Sequence, residues 1–565
     1  MTGGPLARSR VSGLLGAAAM ITAVTLVARV LGFGRWMVQA GTVGHGVVGT
    51  AYNSANALPN VLFEVAAGGA LAGALVPLLV GPIARGAREE VDRTVSAMLT
   101  WTLTALVPLA IVVALLARPL VTVFLPDAAP ADQVDLTAHL LRVFAWQVPL
   151  YGVGVVLTGV LQARKRFFWP AFVPVLSTLV VMIAYLVFGA LSDGRQDDLA
   201  ALPSRAVAWL AWGTTAGVVA LSLPLLAPAW RGGLRLRPTW RFPRGVAARA
   251  LRLAGAGLAA VVAQQVALVA TVWLSNNRGG DGAFTVFQYT QAVYLLPFAV
   301  LVVPLATSAF PRIADAAAVH ARRQLSSLVA ATSRVVVVLA GVGAAALVAA
   351  APFVARAFAG IGRGDDRVIA AMGPTLALMA PGLLGFALVH HLTRVLYALE
   401  RTRPAVLAAS AGWGAVVLVS TGFAFAATRG GVDAPSALRA LGAGSSVGML
   451  VGGATLALTV RAVAGGAACA GLGRTVLVTV ASAGAGAGLG RLLADAFAGW
   501  WTRWLGVGSE PGLATSVCAG AAGALLAVAV TVAGVWLLDR SALAGLRARL
   551  GAAGTAEAAA PGDAS

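Results

Sequence analysis

Apolar residues dominate this chain in long runs, and polar residues are confined to short intervals between them. Stretches long enough to cross a bilayer, about 20 residues, fall near 14–39, 48–82, 95–117, 137–162, 169–191, 205–228, 250–274, 284–311, 328–354, 370–393, 405–428, 436–460, 475–498 and 514–538. This rhythm predicts an all-α polytopic membrane protein of about fourteen transmembrane helices, since a backbone in hydrocarbon must satisfy its own hydrogen bonds. The first run has a basic flank, Arg8 and Arg10, but continues for a full span with no small-residue cleavage pattern. It therefore reads as the first membrane helix and not as a removable signal.

Composition agrees with the pattern. The 565 residues are 59% hydrophobic and 11% charged, with a mean hydropathy of +0.86, which leaves too little polar surface for a soluble protein. The 67 glycines and 26 prolines suit helices that pack through small residues and tolerate kinks. Cys469 and Cys518 lie in or beside late apolar segments and suggest neither a disulfide framework nor a metal site. The formal charge of +20 does not point to nucleic acid, because the arginines are scattered between apolar segments without a basic domain or an aromatic platform. No Walker A loop, HExxH or paired acid constellation is present, so neither an enzyme nor a cofactor is expected. Any driving energy would come from ion gradients, membrane potential or the downhill fate of a substrate.

The basic residues give the topology. With a cytoplasmic N-terminus, most of the 41 Lys and Arg residues fall on the cytoplasmic side, including Arg164-Lys165-Arg166, Arg231 to Arg252, and Arg540, Arg547 and Arg549. The opposite loops gather acids, as in Asp127, Asp132 and Asp135 or Asp193, Asp197 and Asp198. The positive-inside rule then predicts an even number of spans, with both termini in the cytoplasm of a bacterial inner membrane. The longest loop, 229–249, is basic and splits the chain into a first lobe (1–228) and a second (250–462). A final helix pair (473–540) follows, and the tail 541–565 has too little to bury to fold.

The halves resemble each other. Leu161-Gln162-Ala163-Arg164-Lys165-Arg166, leading to Pro170-Ala171, parallels Leu396-Tyr397-Ala398-Leu399-Glu400-Arg401, leading to Pro404-Ala405. Leu58-Pro59 with Val76-Pro77 parallels Leu296-Pro297 with Phe310-Pro311. Both repeats keep the same membrane orientation, which predicts two parallel six-helix lobes plus two C-terminal helices. Carriers that alternate access are built this way, with a substrate site between the lobes.

Ionisable residues inside the spans each need a reason. Arg29, deep in helix one, suits either an anion-binding guanidinium or an internal ion pair. Arg35, nearer the outer end beside Trp36, suits either the same cavity or snorkelling to the interface. Glu64 is the only acid in the first two spans and stands in mid-helix. At about 1.5 Å per residue a long arginine at 29 can reach it, so it reads either as a neutralising partner or as a protonatable coupling site. Asn53, Asn56 and Asn60 recur at helical spacing and are candidates for a cavity wall or for polar glue between helices. Gln264, Gln265, Gln288 and Gln291 are uncharged cavity candidates. His390, His391 and Arg394 read as interface residues, and Arg142 and Arg334 as residues at span ends. The small-residue run Ala66–Ala74 marks close helix packing.

Ala28-Arg29-Val30-Leu31-Gly32-Phe33-Gly34-Arg35 resembles the first-helix signature of the MurJ/MviN lipid II flippases. Asn56 to Asn60 with Glu64, Gly68-Gly69 and Val76-Pro77 resembles their second helix in its actinobacterial form. Leu161 to Val175, Ala211-Trp212-Gly213, Phe310-Pro311 and Tyr397 to Pro404 continue the likeness in order over about 1–460. The resemblance implies the fold of the multidrug/oligosaccharidyl-lipid/polysaccharide exporters. It also implies movement of undecaprenyl-pyrophosphate-linked peptidoglycan precursor from the inner to the outer leaflet. Arg29 and Arg35 would engage the pyrophosphate, with Asn53, Asn60, Glu64 and Gln291 lining the substrate path. Helices thirteen and fourteen would hold the lipid tail, and cell-wall synthesis and division proteins would be partners.

The chain departs from the better-known members. Trp36 stands where they carry an acid, and their second- and eighth-helix arginines fall near Phe63–Glu64 and Ala292. Helices seven and eleven lack the acids proposed to bind sodium, which puts that coupling in doubt. The depleted cavity charge leaves three readings open: a lipid II flippase, an exporter of another polyprenyl-linked glycan or amphipathic drug, and a non-transporting scaffold homologue.

Overall fold

The computed structural model describes residues 5–65, 72–319, 321–505 and 512–542, and no β-strand occurs among them. The chain divides into two compact helical units, Met1–Thr285 with Ile361–Asp365, and Val286–Gly360 with Asp366–Ser565. The first contains α1 (Pro5–Thr42), α2 (Val47–Glu64), α3 (Ala72–Ala84), α4 (Arg88–Leu115), α5 (Ala117–Phe124), α6 (Ala131–Phe144), α7 (Gln147–Ala163), α8 (Phe168–Ser192), α9 (Ser204–Ser222), α10 (Leu226–Arg231) and α11 (Val246–Leu274). Beginning within α12 (Ala283–Pro297), the second continues through α13 (Val303–Ala318), α14 (Arg322–Ile361), α15 (Asp366–Ala370), α16 (Met372–Met379), α17 (Gly382–Ala398), α18 (Thr402–Ala427), α19 (Ala434–Ala464), α20 (Leu472–Leu505) and α21 (Leu513–Leu538).

Among the described residues, eleven helices are long and apolar enough to cross a membrane. They become twelve if α15–α16 and α17, bent by 56° to each other, form one span. The first two of the fourteen expected spans fall on α1 and on α2 with α3, outside that count. Most of the small-residue run 66–74 and all of the tail from 543 lie outside the described residues.

Several expected spans are broken helices, and two of the breaks, at Pro297 and Pro381, fall beside a proline. A π-helical turn, Phe298–Val302, follows Pro297 and joins α12 to α13. Proline lacks the N–H that continues the ladder, so the backbone re-registers after it. The repeat seen in the sequence has the same backbone in both copies. Lys165 (φ 59°) and Glu400 (φ 58°) are left-handed. Arg166 N donates to Leu161 O at 2.8 Å, and Arg401 N to Leu396 O at 2.8 Å. Each basic turn is thus a Schellman-type cap that ends one helix before the next begins.

In the first unit, Tyr52, Phe144, Tyr185 and Phe188 are buried in one apolar cluster, with Tyr52 edge-on to Phe144 at 5.6 Å and to Tyr185 at 5.7 Å. Leu75, Val95, Leu157 and Leu161 centre a second. The linker after α10 is strapped along α4 by hydrogen bonds to one helical face. Arg237 N donates to Ser96 Oγ (3.0 Å), Thr239 N to Thr100 Oγ1 (3.1 Å) and Trp240 Nε1 to Thr104 Oγ1 (3.2 Å). A division at this linker groups the helix that follows it with the second half. In the structure that helix, α11, packs on α2, α3 and α5 of the first unit. The reason is local: Asn276, just beyond α11, donates to Ser54 Oγ (2.9 Å) and Phe124 O (3.0 Å), and Val272 packs with Ala57 and Phe284.

In the second unit, α20 and α21 lie against α14 through small clusters such as Ala345, Ala349, Ala487 and Ala527. The backbones of α20 and α21 approach so closely that a Cβ on Gly523 would come within 2.6 Å of Gly490 O. Without a hydrophobic drive between helices in lipid, such small-residue contacts supply the packing.

Candidate substrate-binding site

The C-terminal half of α2 and the start of α7 converge on one polar patch in the first unit. Tyr151 Oη donates to Asn60 Oδ1 at 3.3 Å, and its ring lies 4.3 Å from that of Phe63. One residue on, Glu64 is exposed at the edge of a cavity of about 340 Å³, which Tyr151, Thr158, Gln162 and Ser222 also line. Ser222 Oγ is buried there with no hydrogen-bond partner. The cavity therefore offers one carboxylate, an amide and several hydroxyls, a set that suits hydroxyl-rich or proton-carrying partners better than a bare anion.

Both first-helix arginines stand on α1. Arg35 is half-buried, with its guanidinium 4.8 Å from the centre of the Trp36 ring. Asn60 and Glu64 are brought together beside Tyr151. Arg29 is exposed on α1, and none of the ion pairs among the described residues joins it to Glu64. Gln291 is half-buried on α12 in the second unit, on the same helical face as Tyr294 one turn later.

Asn53 stands apart from the cavity. It is 4% exposed; its amide donates to Gly49 O (3.1 Å) and Thr285 Oγ1 (3.0 Å) and accepts from Gln39 Nε2 (3.2 Å). Its bonding is spent on joining α1, α2 and the start of α12. Asn56 is half-buried and its Oδ1 has no partner.

Sequence reasoning passed over the tyrosines. Tyr52 Oη lies 2.8 Å from Tyr185 Oη and 3.2 Å from Thr214 Oγ1, a buried hydroxyl network packed beneath α2. Its signal was faint: tyrosine is scarce, with six in the chain, and a buried hydroxyl needs a partner. In the second unit, the rings of Phe298, Phe386 and His390 pack edge-on or tilted with centroids 4.8–4.9 Å apart, and Arg394 Nη1 donates to Thr307 Oγ1 at 3.3 Å. His391 shares a buried hydrogen bond with Thr332 at 3.1 Å. Of the two histidines read as interface residues, His391 is thus built into the packing of α17 and His390 is exposed.

Outside the spans, Asp281 accepts from Gln133 Nε2 at 2.6 Å. Burial raises its carboxyl above the ordinary value of 3.8, and the Gln133 bond offsets part of that. At the far end of the chain, burial pushes Asp539 up. Bonds from Ser541 and Thr475, with the charge of Arg474, outweigh it and leave the group below the ordinary value.

Broken membrane-length helices and a cavity edged by Glu64 within the first unit fit a polytopic membrane transport protein. An inward-facing multidrug resistance transporter of the MATE family in the MOP superfamily matches with a TM-score of 0.61 at 14% identity, over 79% of this chain and 98% of its own. A lipid II flippase MurJ in an inward closed conformation matches with a TM-score of 0.69 at 15% identity, over 93% of this chain and 99% of its own. The family model described as lipid II flippase MurJ matches residues 39–462, and the chain belongs to that family. It is 26% identical over 383 residues to a probable lipid II flippase MurJ of Rhizobium tropici, covering 67% of this chain and 70% of the relative. It is 28% identical over 390 residues to the lipid II flippase MurJ of Burkholderia cenocepacia, covering 67% and 72%.

Proposed function

We propose that this protein is a flippase for lipid II, carrying the undecaprenyl-pyrophosphate-linked precursor from the inner to the outer leaflet of a bacterial inner membrane. The observation that carries the reading is the family match over residues 39–462, which spans both units and the whole Tyr151 cavity. Arg29 and Arg35 precede the matched stretch, so their role rests on chemistry. A guanidinium presents a planar fork of donors that fits paired phosphate oxygens. Arg35 engages the pyrophosphate, Arg29 meets it earlier along α1, and Asn60, Glu64 and Gln291 contact the sugars. Asn53 positions α2 and leaves the substrate path to its neighbours. Parallel lobes alternate access, with both termini on the cytoplasmic side where the arginine-rich loops gather. The lipid tail runs along α20 and α21, where Leu477, Leu492 and Leu525 are about 70% exposed.

The test is leaflet accessibility of labelled lipid II in cells depleted of the endogenous flippase activity and supplied with variants. Arg35→Ala and Arg29→Ala are expected to abolish translocation while membrane levels stay unchanged; normal flipping by either variant sinks the pyrophosphate role assigned to that arginine. A second reading, export of another polyprenyl-linked glycan or an amphipathic cation, draws on the lone carboxylate of the cavity. It predicts that Glu64→Gln abolishes export of that cargo while lipid II accessibility stays unchanged.

A further inference from the structure

A second cavity, in the second unit, has the opposite character. The first three turns of α14 and the segment before α20 enclose about 540 Å³, lined by Arg322, Arg323, Ser326, Ser327 and Arg334 on one side and by Ala467, Ala470 and Gly471 on the other. Positions 322, 323, 326, 327, 330 and 334 share one helical face. No carboxylate lines it, and none of the ion pairs among the described residues uses its three arginines. The Arg334 guanidinium packs on Gly471, where a Cβ would stand 3.4 Å from its Nη1. Nη1 donates to Ser541 Oγ at 3.1 Å, while Nε is buried with no acceptor. The nearby acid, Asp539, is already engaged by Thr475 at 2.5 Å and Ser541 at 2.6 Å. The start of α14 adds free backbone N–H groups and the positive end of its dipole.

Two features place this cavity at a membrane surface. Arg540 stacks 4.9 Å over the Trp536 ring, an aromatic and basic pairing suited to the headgroup level. Leu477 and Leu537, within two turns of the cavity wall, are 73% and 61% exposed, so apolar surface for acyl chains begins where the cations end. A cluster of three arginines, two of them exposed, beside such a surface matches a phosphate that is tethered to lipid better than one that is free.

We infer that Arg322, Arg323 and Arg334, with Ser326 and Ser327, hold the phosphate of an anionic membrane lipid at the α14–α20 mouth. The site stands apart from the Tyr151 cavity and does not depend on the transported cargo. The full-length protein is purified, and lipid retention is counted by native mass spectrometry with phosphatidylglycerol, phosphatidylcholine or inorganic phosphate. Wild type is expected to retain phosphatidylglycerol over phosphatidylcholine. Arg322→Gln with Arg323→Gln, both at exposed positions, is expected to weaken that retention about thirtyfold, and the Lys pair to restore it. Equal retention of phosphatidylcholine, or undiminished retention by the Gln pair, overturns the inference. Displacement by millimolar inorganic phosphate assigns the site to a soluble anion and overturns it as well. Because binding is read without translocation, its failure is distinct from failure of the flippase reading.

Discussion

Replacing Asn53 by Ala separates a residue that holds the fold from one that holds substrate. The side chain is 4% exposed and makes three hydrogen bonds, to Gln39, Gly49 and Thr285, at 3.0–3.2 Å. Hydrogen bonds inside membrane proteins average about 0.6 kcal/mol each, so three lost bonds cost about 2 kcal/mol. The higher average of about 1 kcal/mol for soluble proteins sets an upper figure of about 3 kcal/mol. Gln39 suffers further, because its Oε1 already lacks a partner and its Nε2 would lose the only acceptor it has here. The assay is thermal unfolding of the purified protein followed by tryptophan fluorescence, alongside lipid II accessibility in cells. Asn53→Ala is expected to lower the melting temperature by several degrees and to reduce flipping only in step with the amount of folded protein. A double-mutant cycle with Gln39→Ala should return a coupling of about 0.6 kcal/mol. Loss of flipping at unchanged melting temperature would make Asn53 a substrate contact and refute the assignment. So would a coupling indistinguishable from zero.

Further predictions follow from other parts of the molecule. Arg35→Lys keeps the charge but loses the bidentate fork, so it should flip lipid II at a rate between wild type and Arg35→Ala. Asp281 has its folded pKa raised by burial, so its ionisation costs stability, and that cost is relieved as pH falls through the folded value. Asp281→Asn keeps an acceptor for Gln133 and removes the buried charge. It should match or exceed wild-type melting temperature at pH 7 and lose the rise in stability that wild type shows between pH 7 and about 4. Asp539 has the opposite sign: its depressed pKa contributes stability above the ordinary value of 3.8 that is lost as pH falls through the folded one. Gly523→Leu forces a side chain against Gly490 O and should destabilise the α20–α21 pair by about 1–3 kcal/mol, read as faster proteolysis of the C-terminal helices.

The apolar runs alone determined that this chain is a helical membrane protein, because runs of about 20 residues match a helical span and not a strand, and that argument needs no tertiary contact. The repeated basic turns were legible as a pattern, and the structure made them helix caps. The basic turns at Lys165 and Glu400 share their left-handed residue because the same short pattern satisfies the same helix-end carbonyls. Tertiary structure decided which charges meet. Arg29 and Glu64 were within reach by helical rise, yet Arg29 is exposed and unpaired with that acid, since helix phase and crossing angle, and not span depth, set side-chain direction. Asn53 and Asn60 looked alike in sequence, but the first is spent between helices and the second opens onto Tyr151. The membership of α11 in the first unit was equally invisible, because it rests on Asn276 finding Ser54 and Phe124 far away in sequence. Periodicity reports how one segment faces its solvent; which segment stands opposite depends on long-range packing that no local pattern encodes.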